Sequence, residues 1–316
     1  MRDIDRRTFV KLGIGAWFAG CLPDWAGAAA EELKPKPIRV EVGTKTPFKA
    51  LHVSDTHLAL MTEKELEDPC RAKLYADRSG KTFPGGRGTR WLAAALAYAR
   101  SRGELVLHTG DLIDFIGDAN LEAVKRDVST GDVFCANGNH EWCYHMYTKS
   151  EDCRKLREQY FARVQAAYPN ALDVASRVHG GVNFVSFDNW DYRITQAQWD
   201  AIRREFDRGL PVVLMCHCPF YTPKLHEESS RRANGKGSYV MSAPPEEVEK
   251  FGPAGRWQLG DELTFGFYHW AKAQKNLRAI LAGHLHFDFS ERFSPTAVQH
   301  VVGANCNGCA AEVEFA

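Results

Sequence analysis

Five short motifs stand at the same kind of place in this chain, and together they restrict its fold and chemistry more than any other feature. They are Asp55-Thr56-His57, Gly110-Asp111-Leu112-Ile113-Asp114, Gly138-Asn139-His140-Glu141, the single His217, and Gly283-His284-Leu285-His286. Each follows a short apolar run, at residues 51–54, 105–109, 133–136, 212–216 and 279–282. Runs of this length and composition read as buried β-strands. In open α/β sheets, ligands and chemistry collect at the strand ends. One sheet edge therefore gathers Asp, Asn and His, a donor set for metal ions and more suited to two than to one.

The donor types narrow the metal. His and Asp without Cys in the motifs suit Fe, Mn or Zn. Asp55 and His57 stand one residue apart, so on an extended strand their side chains share a face. Asp111 follows Gly110, whose missing side chain lets the turn tighten. Its two oxygens allow it to bridge two cations. Asn139 offers an amide oxygen, and His217, His284 and His286 offer imidazoles. Seven donors are too many for one tetrahedral ion. Each motif alone is weak: H-x-H is often incidental, and Gly-Asp after a strand is common. Their joint occurrence at strand ends carries the inference. Cys216 and Cys218 flank His217, and alternation turns both away from it as packing residues. His52 and His108 fall within strand runs and read as structural. His145 could reach the mouth of the site, and Glu141 reads as supporting rather than reacting.

Residues 1–30 read as an export signal rather than as part of the fold. Asp5-Arg6-Arg7-Thr8-Phe9-Val10-Lys11 is followed by a Gly/Ala-rich apolar stretch and then by Ala26-Gly27-Ala28-Ala29-Ala30. A basic head, a short apolar middle and a small-residue exit define such a signal, and the paired arginines resemble a twin-arginine signal. Export machinery of that kind is then a partner of the precursor, and the mature chain is periplasmic or extracellular. Phe18-Ala19-Gly20-Cys21 loosely resembles a lipoprotein box, but the alanines downstream are the better cleavage site. The chain of 316 residues has a formal net charge of 0, and loss of the signal leaves −1. No basic field recruits nucleic acid, and no apolar run is long enough for a stable membrane span. Eight cysteines remain in an exported chain, which permits disulfides. Cys306-Asn307-Gly308-Cys309 looks like a redox motif in isolation; without a thioredoxin-like setting it reads as a local bridge or two free thiols on a turn.

From residue 31 to 316 the pattern predicts one α/β (α+β) domain. Helices are expected at 89–100, 151–167 and 196–206, the last opened by the capping box Thr195-Gln196-Ala197-Gln198. Further strands are expected at 182–187 and 297–302. Two stretches, 62–88 and 223–260, read as inserted surface loops near the active edge.

The motif set as a whole resembles the calcineurin-like metallophosphoesterases, a family that includes purple acid phosphatases and many phosphodiesterases. The likeness runs from about residue 38 to 314. It implies a four-layer sandwich: two packed mixed β-sheets flanked by helices. It also implies that Asp55, His57, Asp111 and His286 hold a first metal and Asp111, Asn139, His217 and His284 a second. His140 is then a non-ligand acid above the metals, oriented by Asp114. The implied chemistry is hydrolysis of a small phosphoester, with cations neutralising the phosphoryl oxygens and acidifying a water, and with His140 assisting the leaving oxygen. The motifs do not separate phosphatase from phosphodiesterase. A metal-binding scaffold and a nuclease on the same fold are the competing readings. Full motifs argue against the first, and neutral charge against the second. For substrate contacts, Arg231 and Arg232 are candidates for anionic oxygens, and Tyr221 and Trp257 for stacking on a flat or sugar-like leaving group.

Overall fold

Alternation along the central strands sends side chains in two directions, and both directions are buried. The computed structural model describes residues 32–129, 131–145 and 152–316; the expected signal and Cys21 lie outside the described residues. In chain order the elements are β1 (Lys36–Val40), β2 (Phe48–Val53), α1 (Pro69–Asp77), α2 (Arg87–Arg102), β3 (Leu105–Thr109), α3 (Asp118–Ala123), β4 (Val133–Ala136) and α4 (Cys153–Gln165). There follow β5 (Val174–His179), β6 (Val182–Phe187), α5 (Gln196–Phe206), β7 (Val212–Met215), α6 (Pro223–Arg232), α7 (Pro245–Glu249) and α8 (Glu262–Ala273). The chain closes with β8 (Leu277–Ala282), β9 (Phe289–Arg292), β10 (Val298–Val301) and β11 (Ala311–Phe315).

The strands form two mixed sheets, ordered β1-β11-β2-β3-β4 and β5-β6-β7-β8-β10-β9. Within the first sheet β2, β3 and β4 are parallel, and within the second β6, β7, β8 and β10 are parallel. Parallel strands covered on both faces read as continuous apolar runs, which is why the five runs were visible in the sequence. On β7, Val213 and Met215 point between the sheets, while Val212 and Leu214 join the layer under the helices. Ala50, Leu105, Leu107, Leu281 and Val313 also lie in the layer between the sheets. Leu92, Ala95 and Ala99 of α2 cover the outer face of the first sheet. Ile202 of α5 and Phe267 and Ala271 of α8 cover that of the second. The result is the expected helix–sheet–sheet–helix sandwich.

The capping box forms as expected: the Thr195 hydroxyl accepts from the Gln198 backbone and the Gln198 side chain accepts from that of Thr195. The two expected loops differ. Residues 62–88 hold α1 and a wide helical turn at Arg78–Thr82, and residues 223–260 hold α6 and α7. Pro69, Pro223 and Pro245 do not break structure, because each occupies the first turn of a helix, where the missing N–H costs nothing. Among the described residues no helix is long and apolar enough to cross a membrane.

The sandwich places Leu107 at the centre of the inter-sheet layer, fully buried, and leaves Val178 on the surface at 45% exposure. Leu107→Ala is expected to lower unfolding stability by about 2–5 kcal/mol, against within about 0.5 kcal/mol for Val178→Ala. Urea unfolding of the two variants checks this, and equal losses would contradict the layer assignment.

Candidate metal centre

Parallel strands end on the same edge, so β2, β3 and β4 of one sheet and β7 and β8 of the other deliver their following residues to one place. The loops after β2 and β3 run side by side. Asp55 N–H donates to Gly110 O at 3.0 Å, His57 N–H to Asp111 O at 2.9 Å, and Asp114 N–H to Leu58 O at 2.9 Å. Asp55 and His57 do not continue as an extended strand, contrary to the expectation. Both are left-handed, with φ of 55° and 49°, as are Asp111 (52°), His284 (70°) and His286 (58°). Such a backbone costs a non-glycine residue of order 1–3 kcal/mol and persists only where the surroundings fix it. Here those surroundings are the paired loops and a hydrogen bond from His284 N–H to Asp55 Oδ2 at 2.9 Å.

Three overlapping donor groups result: Asp55 with His57 and His286, His57 with Asp111 and His140, and Asp111 with His217 and His284; within each the donor atoms lie within 4.8 Å of one another. Asp111 belongs to two of them. Close approach depends on glycine at two points. A Cβ on Gly138 would meet Asp111 Oδ1 at 2.2 Å, and one on Gly110 (φ 95°) would meet His217 Nδ1 at 2.6 Å. Asn139 lines the adjoining cavity beside His140 and His284.

The ring orientations fit a pair of cations. His217 Nδ1 bonds to Thr109 O at 2.8 Å, which turns Nε2 toward Asp111 Oδ2 at 3.1 Å and His284 Nδ1 at 3.0 Å. His57 Nδ1 bonds to Asp114 Oδ1 at 3.0 Å, which turns its Nε2 toward His286 Nε2 at 3.1 Å. Imidazole nitrogens thus meet in pairs next to buried carboxylates. A proton shared between two nitrogens answers neither fully; a cation answers both, and the outward bond on the far nitrogen is what orients metal-binding histidines.

Charge follows the geometry. Burial opposes ionisation of Asp55, but His286 and His217 outweigh it and hold its carboxyl well below the usual range. Asp111 is held low in the same way, against burial, by His217 and His140. Burial lowers His57, and burial together with the charge of His217 brings His284 down to about 3. Burial works against His217 and His140 as well. Asp111 nonetheless raises His217 to about 10, and Asp111 with Asp114 raises His140 to about 9.

Asp114 is the anchor beneath His140. Its Oδ1 faces His140 Nδ1 at 3.1 Å, and its backbone carbonyl lies 3.0 Å from the same nitrogen. Arg78 donates to it through Nε at 2.5 Å and Nη2 at 2.6 Å. The Arg78 guanidinium also lies 4.8 Å from the ring of Phe83, which stacks on His57 at 5.0 Å and 14°. Neither Arg78 nor Phe83 was suggested by the sequence, since both sit in the stretch read as a loop. Tyr192 was missed too; its hydroxyl meets His284 Nε2 at 2.5 Å. Glu141 supports rather than joins the centre. Its carboxylate accepts from the N–H groups of Leu112 at 2.8 Å and Gly138 at 2.7 Å and from the Tyr168 hydroxyl at 2.9 Å, tying the β3 and β4 loops together.

The remaining candidates disperse. Trp257 lines the cavity that opens on His140 and His284. Tyr221 and Arg231 line a different cleft, with His226 and Glu247. Arg231 and Arg232 both pair with Glu228, and Arg232 covers Phe287. His145 packs edge-on against Tyr144. Cys216 and Cys218 are buried free thiols, and Cys306 and Cys309 are free as well. The turn holding the latter pair buttresses the first loop: Asn305 N–H donates to Ser54 O at 2.7 Å and Cys306 N–H to Asp55 O at 3.2 Å.

A model of the calcineurin-like phosphoesterase family matches residues 48–288, most of the chain. No curated protein sequence matches it. Among solved structures, a dimetal phosphatase from Danio rerio is 12% identical with a TM-score of 0.43, over 82% of this chain and 88% of that one. A purple acid phosphatase from yellow lupin (Lupinus luteus) seeds is 13% identical with a TM-score of 0.48, over 82% of this chain and 44% of that one. A calcineurin-like phosphoesterase from Bacillus subtilis is 12% identical with a TM-score of 0.41, over 82% of each chain. The match over residues 48–288 takes in the residues that follow β2, β3, β4, β7 and β8, and on that match the chain belongs to the calcineurin-like phosphoesterase family, hydrolases of phosphoesters.

Proposed function

We propose that the chain is an exported hydrolase that cleaves a small phosphoester at a pair of metal ions, Fe, Mn or Zn. The observation that carries this is Asp111, whose carboxylate groups with His57 and His140 on one side and with His217 and His284 on the other, with Asp114 behind His140. Asp55, His57, Asp111 and His286 would hold one ion, and Asp111, Asn139, His217 and His284 the other. Bound there, two cations supply Lewis acidity, neutralising phosphoryl oxygens and acidifying water. The chain's own part is to place the proton. Asp114 fixes Nδ1 of His140, which leaves Nε2 on the metal side, 3.9 Å from Asp111 Oδ2. As the ester P–O bond breaks, Nε2 donates its proton to the leaving oxygen and the alcohol departs neutral. Water supplies the new oxygen on phosphorus. Arg78 and Asp114 keep the ring from turning, and buried Glu141 keeps the two loops in register.

We propose further that residues 1–30 direct export through the twin-arginine route and are then removed. The reading is supported by the Arg6-Arg7-Thr8-Phe9-Val10-Lys11 run and the alanines at its exit.

Three outcomes are expected. Elemental analysis of the purified chain gives about two metal ions per molecule, and Asp111→Asn lowers the occupancy of both together; one ion per chain in an active preparation would contradict the pair. His140→Ala keeps its metals and loses turnover by roughly 10²–10⁴-fold, with the loss shrinking for esters of nitrophenol. A loss independent of the leaving group would instead make His140 a phosphate-binding residue. Changing Arg6 and Arg7 together to lysine leaves precursor in the cytoplasm, as cell fractionation reads; undiminished export would rule out the twin-arginine route.

A further inference from the structure

The proposed chemistry leaves the cavity beside the centre unused. It encloses about 770 Å³, within the range of small-molecule sites. Asn139, His140 and His284 form the end that faces the metal-directed residues, and Trp190, Tyr239 and Trp257 line the rest together with Arg154 and Asp191. Trp257 is 51% exposed, although large apolar side chains elsewhere are mostly buried.

The aromatic groups are held in place. Tyr239 has a left-handed backbone, φ 54°, which a bulky residue adopts only when its surroundings impose it. The buried Gln258 imposes it: its Oε1 accepts from Ser238 N–H at 3.1 Å and from Tyr239 N–H at 2.7 Å. Gln258 is the chain neighbour of Trp257, so one contact ties together the two segments that carry the rings. Tyr239 and Trp257 stand 5.9 Å apart, Tyr192 and Trp257 5.1 Å apart, and Tyr239 stands 6.1 Å from His284. These are edge-to-face and tilted spacings at which aromatic rings attract. They make a track of rings that ends at His284.

Among the described residues, the charges along the walls answer one another. Asp191 is met by Arg154 at 3.3 Å and Arg193 at 3.8 Å. Asp152 caps α4, accepting from the N–H groups of Arg154 and Lys155. A cationic group would find its carboxylate already paired, and a second phosphate would find its arginine already committed. We infer that this cavity receives the organic part of the phosphoester, and that this part carries an uncharged aromatic ring stacked among Trp190, Tyr239 and Trp257. The inference rests on the phosphoesterase reading for the nature of the ligand, but not for the existence of the binding site.

The test compares 3-phenylpropyl phosphate with n-hexyl phosphate, whose leaving alcohols are of nearly equal basicity, on the Mn²⁺-loaded full chain. The same proteins are examined for binding of the product alcohol, 3-phenylpropanol, by saturation-transfer NMR. The phenyl ester is expected to be preferred in kcat/KM by roughly 3- to 10-fold. The preference and the NMR signal should fall together in Trp257→Ala and in Tyr239→Leu, and return in Trp257→Phe. A ratio near unity in the unaltered chain, or one that neither variant moves, overturns the inference. If neither ester, nor the diester bis(4-nitrophenyl) phosphate, is hydrolysed with any metal while phenylpropanol still binds and Trp257→Ala abolishes that binding, the aromatic site stands and the phosphoesterase reading falls. Hydrolysis of both esters alike with no bound alcohol has the opposite meaning.

Discussion

The carboxylate of Asp111 is the point on which the rest of the centre depends. It is buried, it faces His217 Nε2 at 3.1 Å, and it accepts the backbone N–H of His140 at 2.9 Å. Burying an anion is costly unless charge and hydrogen bonds answer it. Here the answer comes from two other strand ends, after β4 and β7. Neither of those loops can move without leaving the carboxylate exposed to its own desolvation cost. That mutual dependence is how a site made of residues distant in sequence keeps one geometry, and it is why the sandwich must bring both sheets to one edge.

The same constraint accounts for the strain. Five residues with left-handed backbones crowd one edge of the molecule, each at a cost that the local chain alone could not sustain. They are sustained by a surrounding shell of hydrogen bonds. Glu141 joins two loops, Asp114 holds two histidines, Thr109 O fixes His217, and the Cys306 turn braces Asp55. The π-type turn at Arg78–Thr82 belongs to this shell, since it delivers Arg78 to Asp114; helical irregularities of this kind recur at functional sites.

Much of this was legible in the chain and some was not, for physical reasons. The five strands were legible because strands buried on both faces are apolar throughout, and the donors stand out where each run stops. The gathering of Asp55, Asp111, His217, His284 and His286 followed from parallel strands ending together. The left-handed turns were not legible, because face-sharing arguments assume a regular backbone and Asp55 and His57 leave it. Arg78 was invisible because its partner Asp114 lies 36 residues away with no periodicity linking them. The segments 62–88 and 223–260 were misread because proline breaks a helix in its interior yet starts one at its first turn. Tyr239 and Gln258 are joined only by the fold, so the aromatic track had no sequence signature beyond Trp257.

The central claim is that one carboxylate is shared by two ions. Anomalous diffraction from crystals of the full chain grown with Mn²⁺ tests it most directly. The account predicts two peaks flanking Asp111, one bordered by Asp55, His57 and His286 and the other by Asn139, His217 and His284. A single peak, or two peaks of which either fails to touch Asp111, would contradict it.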